Sequence, residues 1–176
     1  MPELQRLDDS HAAALLDFER ENRAYFARTI SDRGDDYFAT FPARHAALLR
    51  EQATGRCHFH VMVDEGGAVL GRFNLVDVAD GGAELGFRMA ERAAGRGLAK
   101  EGVRLVCARA REDYGLRRLI ARAAPTNHAS LAVLRATGFV PVGEAELDGR
   151  PFVRHVRELT ALETDGADPN AAGARG

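Results

Sequence analysis

The segment Arg92-Ala93-Ala94-Gly95-Arg96-Gly97-Leu98-Ala99-Lys100 has the residue types of an anion site. It reads R-x-x-G-x-G and opens a long amphipathic stretch. Two glycines let the backbone turn tightly and keep side chains out of the way. The first N–H groups of the helix that follows lack intrahelical partners and point outward. Together with the helix dipole they suit a pyrophosphate. Arg92, Arg96 and Lys100 add positive charge nearby. A bare pair of glycines fits an ordinary strand-to-helix turn as well.

Two common phosphate motifs are excluded. G-x-x-x-x-G-K-[ST] is absent, so the loop is not a P-loop. A dinucleotide fingerprint needs G-x-G-x-x-G and an acidic residue closing the next strand. Here Lys100 takes the third glycine's place, and the next strand, Arg118 to Ala123, ends in Ala124-Pro125.

The stretch Arg92 to Ala99 resembles the acyl-CoA pyrophosphate loop of the Gcn5-related N-acetyltransferases (GNAT). A second block, Asn127-His128-Ala129-Ser130-Leu131-Ala132-Val133-Leu134-Arg135-Ala136-Thr137-Gly138-Phe139, is similar to the N-x-x-S…G-F segment of the branch that acetylates ribosomal-protein N-termini. The resemblance covers roughly residues 3 to 160. It implies acetyl-CoA as co-substrate, held by Phe87, Arg88, Met89, Arg92, Gly95, Arg96, Gly97, Leu98, Ala99, Asn127 and Arg135.

Attack of an amine on a thioester needs a base, donors for the developing oxyanion, and an acid for the departing thiolate. Glu84 lies on the strand leading into the loop, where a family glutamate can act as base; a surface carboxylate is the plainer reading. The oxyanion donor would be a backbone N–H near Phe87 or Arg88. Ser130 falls in the first turn of its helix, where the ribosomal-protein branch uses serine to protonate the CoA sulfur. A capping-turn hydroxyl is the alternative. Many family members place a tyrosine one turn later; here that residue is Leu134. Asn127 is read as helix N-cap and pantetheine contact, and Arg135 as a phosphate contact or an exposed helix arginine. Arg20, Asn22, Arg23, Tyr25 and Phe26 are candidates to line the acceptor side, although a solvated helix end fits that segment equally. No cysteine sits near either motif, which favours direct attack over an acyl-enzyme.

These residues need one ordinary domain to hold them. The chain has 176 residues and a net charge of −2, so no global pull toward nucleic acid is implied. No apolar run approaches the ~20 residues of a membrane span, and the N-terminus lacks the apolar core of a signal peptide. Cys57 and Cys107 lie in apolar segments without metal-ligand spacing. His58 and His60 share a strand face, but two ligands do not make a metal site. The expectation is a cytoplasmic enzyme, monomer or homodimer, that uses no metal, nucleic acid or membrane. Its acceptor would be a protein N-terminus or a small amine such as an aminoglycoside or polyamine. A CoA-binding module without turnover is the reading from a different class.

The patterning predicts the order β-α-α-β-β-β-α-β-α-β-β. A strand at Glu3–Leu7 precedes a helix capped by Asp8-Asp9-Ser10 and running to about Tyr25, and a second helix spans Tyr37–Gln52. Strands follow at Cys57–Val63, Val69–Val76 and Ala83–Met89. A helix over Leu98–Glu112 turns Leu98, Gly102, Leu105, Val106 and Ala110 inward. The strand Arg118–Ala123, the helix Asn127–Thr137 and a hairpin around Asp148-Gly149 complete the pattern. The fold class expected is α/β with a mixed α+β sheet, mostly antiparallel and twisted, with helices on both faces. Residues 1–160 are read as the domain. The tail, 161–176, is rich in Ala, Gly and Asp and is read as disordered.

Overall fold

Among the described residues short β-rich segments form seven strands: β1 Glu3–Arg6, β2 His58–Val63, β3 Val69–Ala79, β4 Gly82–Met89, β5 Arg118–Ala123, β6 Val140–Leu147 and β7 Arg150–Glu158. They form one sheet in the order β1-β2-β3-β4-β5-β7-β6. Every neighbouring pair is antiparallel except β4 and β5, which run parallel. Two Asp-Gly pairs set hairpin turns: Asp80-Gly81 and Asp148-Gly149 have positive φ at both positions, as type I′ turns require. The computed structural model describes residues 1–159; the tail expected to be disordered lies outside the described residues.

Among the described residues six helices flank the sheet: α1 Ala12–Glu21, α2 Arg23–Phe26, α3 Asp35–Ala39, α4 Phe41–Ala53, α5 Leu98–Glu112 and α6 His128–Ala136. Arg72 and Phe73, adjacent on β3, identify the two faces. Arg72 reaches Glu19 of α1. Phe73 lies under Gly102 of α5, where a Cβ would overlap its ring. A glycine at that position lets helix and sheet approach closely. Helix α6 packs on α5 and β5.

The first two helices differ from the sequence expectation. Asp8 does start the first, its carboxylate accepting from the Ser10 N–H while His11 accepts the Asp8 N–H. The helix breaks at Asn22, whose φ of −103° and ψ of 7° leave the α region. The expected Tyr37–Gln52 helix is likewise two helices, parted at Thr40. Pro42 explains the second break: it has no N–H to donate and sits in the first turn of α4. In α5 the buried stripe is Leu98, Gly102, Val103, Val106, Cys107 and Ala110, while Leu105 is 39% exposed. Leu105 lies about 100° around the helix from Val106, just off the stripe.

Candidate functional site

The site begins where β4 and β5 part. Their parallel pairing runs only from Gly82↔Arg118 to Leu85↔Ala121. Beyond Leu85, β4 stays with β3 as far as Met89↔Gly71, and β5 stays with β7. The Ala90 N–H donates to Leu70 O at 2.8 Å. Hydrogen-bonded and non-bonded pairs alternate along an antiparallel ladder. Residues 84, 86 and 88 of β4 therefore direct their backbone groups to β3. The N–H groups of Phe87 and Met89 face the opening instead. The sequence reading named Phe87 or Arg88 as the region of the oxyanion donor; the ladder gives the open N–H to Phe87 and turns that of Arg88 away.

On the α5 side of the opening lies the glycine loop. A 3-10 turn, Glu91–Ala93, leads into it, and Gly97 forms the α5 N-cap with φ of 73°. Gly95 has φ of 74°, and no atom lies within 4 Å of where a Cβ would stand on either glycine. The first helical bond is Glu101 N–H to Gly97 O. Among the described residues, the N–H groups of Gly95 through Lys100 have no partner. This row of free donors ahead of a helix fits a pyrophosphate. Leu98 is buried, Ala99 half-buried, and Arg96 and Lys100 are exposed. Arg92 Nη1 lies 3.7 Å from Asp64 Oδ2.

Helix α6 borders the same side. The Asn127 side chain caps it, accepting the Ser130 N–H at 3.2 Å. Ser130 is half-buried, and its hydroxyl has no partner among the described residues. Leu134 is buried and Arg135 exposed. The hydrogen bond from Phe139 N–H to Leu134 O closes the helix behind Gly138, whose φ is 87°.

Glu84 stands on the opposite face of the sheet. Its side chain is 17% exposed, and Oε1 accepts from Arg122 Nε at 2.6 Å. The Arg122 guanidinium stacks on Phe152 with 5.2 Å to the ring centroid. Two open grooves meet at Glu84. One runs past the Asp77–Gly82 turn, Arg117, Arg118, Arg154 and Glu158. The other runs past Ser31 and Arg122 to the β6–β7 turn.

Further along this face sits a charge cluster that the sequence did not signal. Glu19 is buried against three arginines: Arg72 at 2.7 Å, Arg33 at 3.4 Å and Arg88 at 3.6 Å. The Arg88 guanidinium also lies over the Phe26 ring at 4.8 Å. The acceptor-side candidates are dispersed around it. Asn22 is buried; its Oδ1 accepts the Glu91 N–H at 2.9 Å and its Nδ2 donates to Phe18 O. It thus ties the end of α1 to the start of the glycine loop. Arg23 pairs with Asp32 and Asp35, and this guanidinium holds the Asp32 carboxyl at about 2. Tyr25 is half-buried, Phe26 buried and Arg20 exposed.

The remaining reactive side chains are engaged elsewhere. Tyr114 stacks on His58 at 3.6 Å, and its hydroxyl contacts His60 Nε2 at 2.6 Å. Burial pushes the His60 pKa down to about 3, so the ring is neutral. Burial, reinforced by Glu51, pushes the Cys57 thiol up to about 11, and burial also raises Cys107. Among the described residues no three His, Cys, Asp or Glu side chains gather as a metal site requires. Among the described residues no helix is long and apolar enough to cross a membrane.

Comparison with known proteins shows the family and the fold. The model of the Acetyltransferase (GNAT) domain matches residues 3–140. The probable N-acetyltransferase YjcK of Bacillus subtilis (strain 168) is 26% identical over 145 residues, 79% of this chain and 80% of that protein. Among solved structures, the ribosomal-protein-S5-alanine acetyltransferase from Vibrio fischeri superposes with a TM-score of 0.85 at 18% identity, covering 92% of this chain and 95% of that one. Mycobacterium smegmatis RimJ, in complex with CoA-disulfide, gives 0.78 at 22% identity, with coverage of 88% and 80%. Members of the GNAT family use acetyl-CoA. The chain belongs to that family and is an N-acetyltransferase.

Proposed function

We propose that this enzyme transfers acetyl from acetyl-CoA to the free amine of a protein N-terminus, by direct attack in a ternary complex. The observation that carries the reading is the two-sided opening between β4 and β5. Free N–H donors at Gly95 to Lys100 and the Asn127 cap lie on the α5–α6 side. Glu84 and the open grooves lie on the other. The donor substrate enters from one face and the amine from the other, and they meet at the Phe87 N–H.

Each residue then has a role. The loop N–H groups hold the pyrophosphate, helped by Arg92 and Arg96. The Phe87 N–H meets the oxygen on which charge develops. Glu84 takes the ammonium proton, directly or through water, and Arg122 keeps its carboxylate in place. Ser130 supplies the proton that the departing thiolate needs and regains one, through water, from the nitrogen as the amide forms. Both cysteines are buried with raised pKa values, so neither is poised to carry an acyl group.

The grooves favour a peptide over a polyamine. Their lining carries Arg117, Arg118, Arg122, Arg150 and Arg154 against Asp77, Asp80, Glu84, Asp148 and Glu158. A site for a polycation would be predominantly acidic; this one is balanced and extended. The test measures free thiol released from acetyl-CoA with short peptides of free N-terminus, spermidine and an aminoglycoside. Peptides are expected to be the best acceptors. Preference for spermidine would move the reading to small amines, and tight CoA binding without any transfer would leave a binding module.

A further inference from the structure

Glu19, on α1, is buried, and three guanidinium groups approach it, from Arg33, Arg72 and Arg88. One already neutralises it. Arg72 Nη1 donates to Oε1 at 2.7 Å and is itself buried, so these two form an internal ion pair. Arg33 Nε at 3.4 Å and Arg88 Nη1 at 3.6 Å are attracted to Oε2 but lie beyond ordinary hydrogen-bond length. Their side chains are 32% and 21% exposed. Among the described residues the Arg88 guanidinium makes no hydrogen bond, yet the buried atoms without a partner are His45 Nδ1, Asn74 Oδ1 and Arg157 Nη1. The Arg88 nitrogens therefore touch solvent. Asp32 and Asp35 are turned to Arg23 instead. Three guanidinium groups against one carboxylate leave the cluster with surplus positive charge.

Both spare guanidinium groups are held by their faces. Arg88 lies 4.8 Å from the Phe26 ring centroid and Arg33 4.5 Å from that of Tyr37. Stacking fixes the plane and leaves the edge donors, a fork that a carboxylate fits. Open ground lies beside them. Glu84, Gly86 and Arg88 alternate onto one face of β4. Gly86 is exposed, and no atom lies within 4 Å of where its Cβ would be, so this face is uncovered between the base and Arg88. Ser31, two residues from Arg33, lines the same groove as Glu84.

We infer that Arg33 and Arg88 form a carboxylate subsite for the acceptor, and that the preferred acceptor is a peptide with glutamate or aspartate at its second or third residue. The inference rests on the acetyl-transfer reading above and deepens it. The amine reacts beside the Phe87 N–H, over Gly86. The Arg88 Cα lies about 7 Å further along the strand, and an extended peptide advances about 3.3–3.6 Å per residue. One or two residues therefore separate the amine from the arginines. Guanidinium groups already fixed by stacking lose little freedom when the carboxylate docks. A basic residue at the same place meets like charge and is disfavoured.

The test uses the full chain and C-terminally amidated peptides that begin with alanine, in matched pairs with glutamate or glutamine at the second or the third residue. At one of these positions kcat/KM should favour glutamate by about tenfold, the worth of one charge-assisted hydrogen bond. Added salt should shrink the ratio. Arg33→Gln and Arg88→Gln should each bring it toward one, and Arg88→Lys, which keeps the charge and loses the fork, should retain only part of it. Arginines that merely neutralise Glu19 would instead lower Tm and slow glutamate and glutamine peptides alike, and that result would overturn the assignment. Arg33 is exposed on the α2–α3 connection, so its variant should fold even if the Arg88 variants do not. Equal wild-type kcat/KM within every pair, a preference for lysine at these positions, or faster transfer to free alanine than to any peptide would overturn the subsite while leaving acetyl transfer standing. Failure of the wild type to acetylate any peptide, free alanine or spermidine, while binding acetyl-CoA, would overturn the transfer reading itself and this inference with it.

Discussion

Glu84 and Ser130 lie on opposite faces of the opening, so each variant tests one end of the reaction. Glu84→Gln keeps shape and removes basicity. Turnover should drop more at pH 7 than at pH 9, where more of the amine is already neutral; equal losses in the two pH–rate measurements would make the residue structural. Ser130→Ala should lower kcat by about 10²-fold, the lower end of general acid catalysis, because a thiolate is a fair leaving group. Steady-state kinetics and calorimetry together should find the acetyl-CoA Kd little changed. The Asn127 cap remains, so α6 should keep its stability.

At the scale of elements, the glycine loop was legible because its requirement is local. Only glycine takes positive φ at low cost, so two glycines before an amphipathic run announce the turn. Gly97→Val adds a β-branched residue at φ 73° and points a side chain into the space the loop leaves open. The left-handed conformation costs about 1–2 kcal/mol, and no protein atom obstructs the new side chain. The fold should survive by circular dichroism, while acetyl-CoA affinity falls about 10- to 100-fold with the loss of one or two charge-assisted bonds. The Asp148-Gly149 hairpin and the capped α6 were readable for the same local reason. The break at Thr40 was present in the sequence as Pro42, but the apolar periodicity from Phe38 to Leu49 ran across it.

For the whole molecule, what stayed hidden is what the topology assembles from distant segments. Glu19, Arg33, Arg72 and Arg88 come from α1, the α2–α3 connection, β3 and β4. Arg122 finds Glu84 only because β4 and β5 pair in parallel. None of these has a spacing that marks it along the chain. His60 carries a prediction for global stability. Its folded pKa is about 3 because it is buried, against about 6.5 in the unfolded chain. Between those values the unfolded state binds the extra proton. Stability is therefore full above about pH 6.5 and falls by about 1.4 kcal/mol per unit as pH drops toward 3. Denaturant melts across this range should follow that slope, and His60→Leu should flatten it.

The hydrogen-bond parity of β4 limits how this enzyme can diverge. The donor at Phe87 is a main-chain N–H, so the side chain there is free to vary without removing it. Its direction depends only on the count of residues from the last pair shared with β3. One residue inserted or deleted between Leu85 and Phe87 would turn that N–H onto β3 and move Glu84 to the other face relative to the loop. Relatives that keep the chemistry should therefore vary freely in side chain along this strand and in length at the Asp80-Gly81 and Asp148-Gly149 turns, while the stretch from Glu84 to Met89 keeps its length.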